Sequence, residues 1–138
     1  SFAVDAFRGA FAMSPAPPRG ADPSAAYANM RMPIFHLTGT EDGTPLGDDL
    51  RPIDRRMPFD TIDGVDQYLL ILDKGVHSTF SGRLDRPYPG IDRHHALIRM
   101  AALVFWDATL REDAAARAWL EGGGYAAQVG ASGTFEVK

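Results

Sequence analysis

The sequence predicts an α/β fold, with parallel strands forming the C-terminal part of a doubly wound sheet. Three observations carry this expectation. Three apolar runs, at residues 7–13, 33–38 and 67–72, are far enough apart for crossover connections. The second and third are apolar almost throughout rather than alternating, as in strands covered on both faces. From Asp92 onward the apolar residues recur at helical spacing, so the chain closes in helices.

Each element has a local cause. Residues 7–13 are small and apolar, and Ser14-Pro15-Ala16-Pro17-Pro18 stops them with a turn. Asp22-Pro23-Ser24 has the form of a helix start, giving one or two turns over 25–30 before Pro33. Pro33-Ile34-Phe35-His36-Leu37-Thr38 is the second strand, and 39–52, rich in Gly, Asp and Pro, is a loop. A short helix is expected within 54–62, weakened by Pro58. Gln67 to Leu72 is the clearest strand, and Pro87, Pro89 and Gly90 mark 74–91 as loop. Asp92 is placed as the cap of a helix through Leu97, Ile98, Ala101, Ala102, Val104, Phe105 and Ala108 to Leu110. Asp113 starts another, through Ala116, Trp119 and Leu120, which Gly122-Gly123-Gly124 ends. Residues 125–138 are a tail or an added edge segment. The whole, 1–138, is one partial domain: three parallel strands leave one side of the first as an exposed apolar edge, which more sheet would have to cover.

Composition narrows the function. The chain has 138 residues, 45% of them hydrophobic and 23% charged, enough for a packed core. No apolar run approaches the roughly 18 residues that span a bilayer, so no membrane partner is expected. A net charge of −4 argues against nucleic acid, which needs a clustered basic face; the pair Arg55-Arg56 is taken as solvated surface. Without cysteine there is neither a disulfide nor a thiolate nucleophile or metal ligand. The start Ser1-Phe2-Ala3-Val4-Asp5, lacking an initiator methionine and a signal-peptide pattern, fits a processed or partial product or an engineered start. Localisation stays open.

The chemistry concentrates at two strand ends. Thr38-Gly39-Thr40-Glu41-Asp42-Gly43 follows the second strand, and Gly75-Val76-His77-Ser78-Thr79-Phe80 follows the third. An acid after one strand and a histidine after the next deliver two members of a hydrolytic triad to the carboxyl edge of an open sheet. Glu41 and Asp48-Asp49 are rival acids, and Asp42 with Gly43 also suits a turn. Ser14, Met13 and Phe80 are candidates for lining a substrate pocket, although a turn and core packing explain them equally well. His36, inside a strand, is read as a core histidine. His94-His95 with Asp92 suggests a metal site, but adjacent helical residues do not share a face, so no metal or other cofactor is expected. Trp106 and Trp119 are read as packing.

Four blocks in this order give the chain its resemblance to the C-terminal half of an α/β-hydrolase, in the branch of dienelactone hydrolase and platelet-activating-factor acetylhydrolase. They are residues 7–14 closing on Pro15; Pro33-Ile34-Phe35-His36-Leu37-Thr38-Gly39-Thr40-Glu41-Asp42; Gly75-Val76-His77-Ser78-Thr79-Phe80; and Phe105-Trp106-Asp107-Ala108-Thr109-Leu110-Arg111-Glu112-Asp113. The resemblance covers roughly residues 5–122. It implies a serine ester or lactone hydrolase in which Asp42 is the triad acid and His77 the general base, in the chain order the fold uses. The G-x-S-x-G elbow that carries the nucleophile in that family, and the oxyanion donor of an earlier loop, are not in these 138 residues. Too few residues follow Ser1-Phe2 for the helix that packs behind such an elbow, and strand-helix alternation does not suit an N-terminal-nucleophile hydrolase using Ser1. The nucleophile is therefore expected from a missing N-terminal half or from a second chain. The competing expectation is a hydrolase-like subunit without catalysis that completes a partner's sheet.

Overall fold

The computed structural model describes residues 7–43, 50–81 and 87–138. It is an α/β structure with an open four-stranded sheet in the order β1-β2-β3-β4. The strands are β1 (Ala10–Met13), β2 (Ile34–Glu41), β3 (Gln67–Val76) and β4 (Gly133–Val137). The first three run parallel, and β4 is antiparallel to β3. The helices are α1 (Pro23–Tyr27), α2 (Met57–Thr61), α3 (Ile91–Leu110), α4 (Ala114–Glu121) and α5 (Gly124–Val129), with 3-10 turns at Pro52–Arg56 and His77–Phe80.

Strand alternation sorts the side chains onto two faces. Phe35 and Leu37 of β2 and Tyr68, Leu70 and Leu72 of β3 pack with Leu97, Ala101, Phe105, Leu120 and Tyr125 of α3, α4 and α5. This is the main core, and its centre is aromatic: Phe35 and Phe105 meet edge to face with centroids 5.8 Å apart. Trp106 and Trp119 pack against it, as expected. The opposite face carries His36, set edge-on against Phe59 of α2, and Gln67, which donates to the Ile62 carbonyl oxygen.

Four boundaries differ from expectation. Residues 125–138 are not a tail: α5 and β4 form the added edge segment, with Phe135 stacked beside Tyr68. Asp92 is not the cap of α3. Gly90, at φ +95°, precedes the helix, which begins at Ile91, so Asp92 lies in the first turn. Asp113 and Asp22 do cap α4 and α1 through their side chains. Both β2 and β3 run on into residues expected to be loop, and the reason is a pair of glycines. A Cβ on Gly39 would lie 2.1 Å from the Gly75 carbonyl oxygen, so only bare backbone allows the strands to close there. The register shifts between Gly39 and Glu41, and pairing resumes at Glu41 and Val76. The next residues on the two strands are Asp42 and His77.

Candidate active site

Two strand-end turns and a third, after β1, converge on His77. Asp42 is fully buried; its Oδ2 accepts from the Thr38 hydroxyl at 3.0 Å, and Thr38 is itself buried within β2. Its Oδ1 lies 3.1 Å from His77 Nδ1 and accepts from the Ser14 hydroxyl at 2.9 Å. Ser14 Oγ is also 2.8 Å from His77 Nδ1. These contacts assign the imidazole tautomer. A carboxylate only accepts, and Ser14 gives its proton to Asp42, so Nδ1 must carry the hydrogen that both oxygens receive. Nε2 then presents a lone pair. It has no hydrogen-bond partner among the described residues, and the side chain is 47% exposed.

Ser14 reaches this position at a backbone cost. Its φ is +53°, a conformation in which non-glycine residues are uncommon. Its amide nonetheless donates to the Leu37 carbonyl oxygen at 2.7 Å, and its side chain and carbonyl are both bonded. A strained residue held this firmly at a strand end is the sort of outlier that clusters at functional sites.

Arg55 corrects the reading of Arg55-Arg56 as solvated surface. Its side chain is 2% exposed and bridges the turns after β1 and β2. Nε faces the Asp42 carbonyl oxygen and, at 3.1 Å, Asp42 Oδ1, while an Nη1–H donates to the carbonyl oxygens of Ser14 (2.9 Å) and Pro15 (3.3 Å). Arg56, 28% exposed, instead bridges Asp60 and Glu136, tying α2 to β4.

The turn carrying His77 is braced from behind. Thr79 Oγ1 accepts from the Val76 amide and bonds the Tyr88 hydroxyl at 2.8 Å, and that hydroxyl lies 2.7 Å from His94 Nδ1. Burial is the main cause that pushes the His94 pKa down and the Tyr88 pKa up. His95 Nε2 donates to the Thr79 carbonyl oxygen at 3.2 Å. The two histidines thus act on separate atoms of one turn. No group of three metal-ligating side chains occurs among the described residues.

Beside His77 opens a cleft of about 590 Å³, lined by Glu41, Lys74, Val76, Ser78, Pro87, Tyr88 and Pro89. Phe80 is not in its wall: it is 9% exposed and belongs to the core. Ser14 is turned to Asp42 and His77, and Met13 is exposed at the end of β1. His36 is buried, as expected of a core histidine, with Nε2 3.1 Å from Gln67 Oε1 and Nδ1 without a partner. Glu41 makes no hydrogen bond to His77, and Ser1, Asp48 and Asp49 lie outside the described residues.

The structure brings together Asp42 and His77 and adds Thr38, Ser14 and Arg55 around them. No helix among the described residues is long and apolar enough to cross a membrane. No family model matches the chain, and no curated protein matches it.

Proposed function

We propose that the chain is the acid-and-base part of a serine ester hydrolase of the α/β-hydrolase type, in the dienelactone hydrolase and platelet-activating-factor acetylhydrolase branch, with the nucleophile supplied from outside these residues. One observation carries the reading: Asp42 and Ser14 hold His77 by Nδ1, while Nε2 is left unbonded on a half-exposed ring. A general base needs this arrangement. Nε2 takes the proton of an incoming serine hydroxyl as its oxygen attacks the ester carbonyl. Asp42 stabilises the imidazolium through Nδ1–H, and Nε2 then returns the proton to the leaving alkoxide.

Ser14 is not that serine. A nucleophile and its acid must sit on opposite ring nitrogens, and Ser14 shares Nδ1 with Asp42. The cleft beside His77, about 590 Å³, is of a size for a small ester. The outer edge of β1 has no strand partner among the described residues, and Phe7 (62% exposed) and Met13 (48%) stand near it. A nucleophile-bearing segment that adds a strand there would cover this edge.

The second reading, a non-catalytic hydrolase-like subunit, draws on a different observation: no hydroxyl among the described residues is hydrogen-bonded to Nε2. A fluorophosphonate probe separates the two. It is applied to the isolated chain and to intact material purified with any accompanying polypeptide, and labelled species are resolved by denaturing mass. Labelling outside residues 1–138 supports the esterase, and no labelling in any sample supports the non-catalytic subunit.

A further inference from the structure

We propose that Arg55 is a positioning residue for this dyad: its buried guanidinium locks the turns after β1 and β2 together, and thereby selects the His77 tautomer that leaves Nε2 free. The inference rests on the reading of Asp42 and His77 as acid and base.

The guanidinium contacts the backbone carbonyls of Ser14, Pro15 and Asp42 and the Asp42 carboxylate. Three of these four partners are main-chain atoms of the two turns that carry the side chains facing Nδ1. A planar fork with several fixed donors can hold such a set; a lysine ammonium offers one point charge and cannot reach them together. Ser14 needs this support, because its φ of +53° is a conformation the chain would otherwise leave. The Ser14–Asp42 contact spans 28 residues, and Arg55 bonds the backbone carbonyl at both ends of it.

Position then becomes chemistry. With Ser14 Oγ and Asp42 Oδ1 both beside Nδ1, the neutral ring keeps its hydrogen there. If the turns separate, Ser14 withdraws, the ring rotates, and either nitrogen can carry the hydrogen. A base whose lone pair is present only part of the time, or points elsewhere, is slower without binding substrate less well.

The test reads the tautomer directly, by the nitrogen-15 shifts of the His77 ring at a pH where it is neutral. Wild type should show Nδ1–H, and Arg55→Met a mixture of the two forms. In the completed enzyme the same variant should lower kcat by roughly 10²-fold with KM little changed. Arg55→Lys should rescue neither readout fully. If wild type lacks the Nδ1–H form, the dyad reading itself fails. If wild type has it and both Arg55 variants keep it with normal kcat, only the role of Arg55 fails. Because a buried guanidinium can also be required for folding, wild type supplies a further measurement. The Arg55 Nε–H should exchange with solvent roughly 10²-fold more slowly than that of Arg111, which is 75% exposed. Equal exchange would overturn the lock.

Discussion

The Ser14 hydroxyl donates to Asp42 Oδ1 across 2.9 Å, joining the turn after β1 to the turn after β2. The bond places two oxygens beside one nitrogen of His77, so the ring is held by Nδ1 and open at Nε2. Under the proposed function Ser14 then orients the base rather than attacking the substrate.

Ser14→Ala and Ser14→Gly separate the hydroxyl from the backbone. Both remove a hydrogen bond to a carboxylate, a loss of about 1.5–3 kcal/mol. Glycine enters positive φ freely and alanine does not, so Ser14→Gly should be the more stable of the two by about 1 kcal/mol. Urea unfolding measures this difference. Both variants should disturb the His77 tautomer equally, and an undisturbed ring would show that the hydroxyl does not orient it.

Gly39→Ala tests the close approach that lengthens β2 and β3. The new Cβ would meet Gly75 backbone at 2.1–2.6 Å, where no flexible side chain can yield. A destabilisation on the order of 3 kcal/mol is expected in chemical denaturation. Gly75→Ala, whose nearest contact is 3.0 Å to the Leu72 Cβ, should be milder. Equal effects would mean that the glycine pair does not set the strand junction.

His36 makes stability depend on pH. Burial, only partly offset by its bond to Gln67, lowers its pKa to about 4 from the ordinary 6.5. At pH 7 both folded and unfolded chains hold it neutral. As pH falls below about 6.5 the unfolded chain takes up a proton that the folded one refuses, so stability declines until about pH 4 and then levels. The ceiling is roughly 3 kcal/mol, about 1.4 kcal/mol for each pH unit between the two values. His94, also lowered by burial, pulls in the same direction. The His36 share is therefore the difference between wild type and His36→Leu in urea unfolding at pH 7 and pH 4. Identical pH slopes would remove it.

The parallel strands and the long helix were legible because their signals are local and repeated: apolar runs in β2 and β3, helical spacing from Leu97 to Ala108. The fourth strand was harder to see. Gly133–Val137 is short and only half-buried, and its strand character comes from pairing with β3. Asp42 and His77 could be found because each follows a strand. Thr38 carried a faint signal, four residues before Asp42 as the last residue of the expected strand. Arg55 carried none: beside Arg56 it resembles a surface pair, and only the folded arrangement of the turns after β1 and β2 supplies the carbonyls it bonds. The Gly39–Gly75 approach was equally hidden, since each glycine is explained only by the other.

The most direct test of the central claim is the His77→Ala variant of the chain together with the segment proposed to complete it, assayed on a p-nitrophenyl ester. The expected result is a loss of turnover of roughly 10⁴-fold with the fold retained. Turnover near that of wild type would contradict the assignment of His77 as the general base.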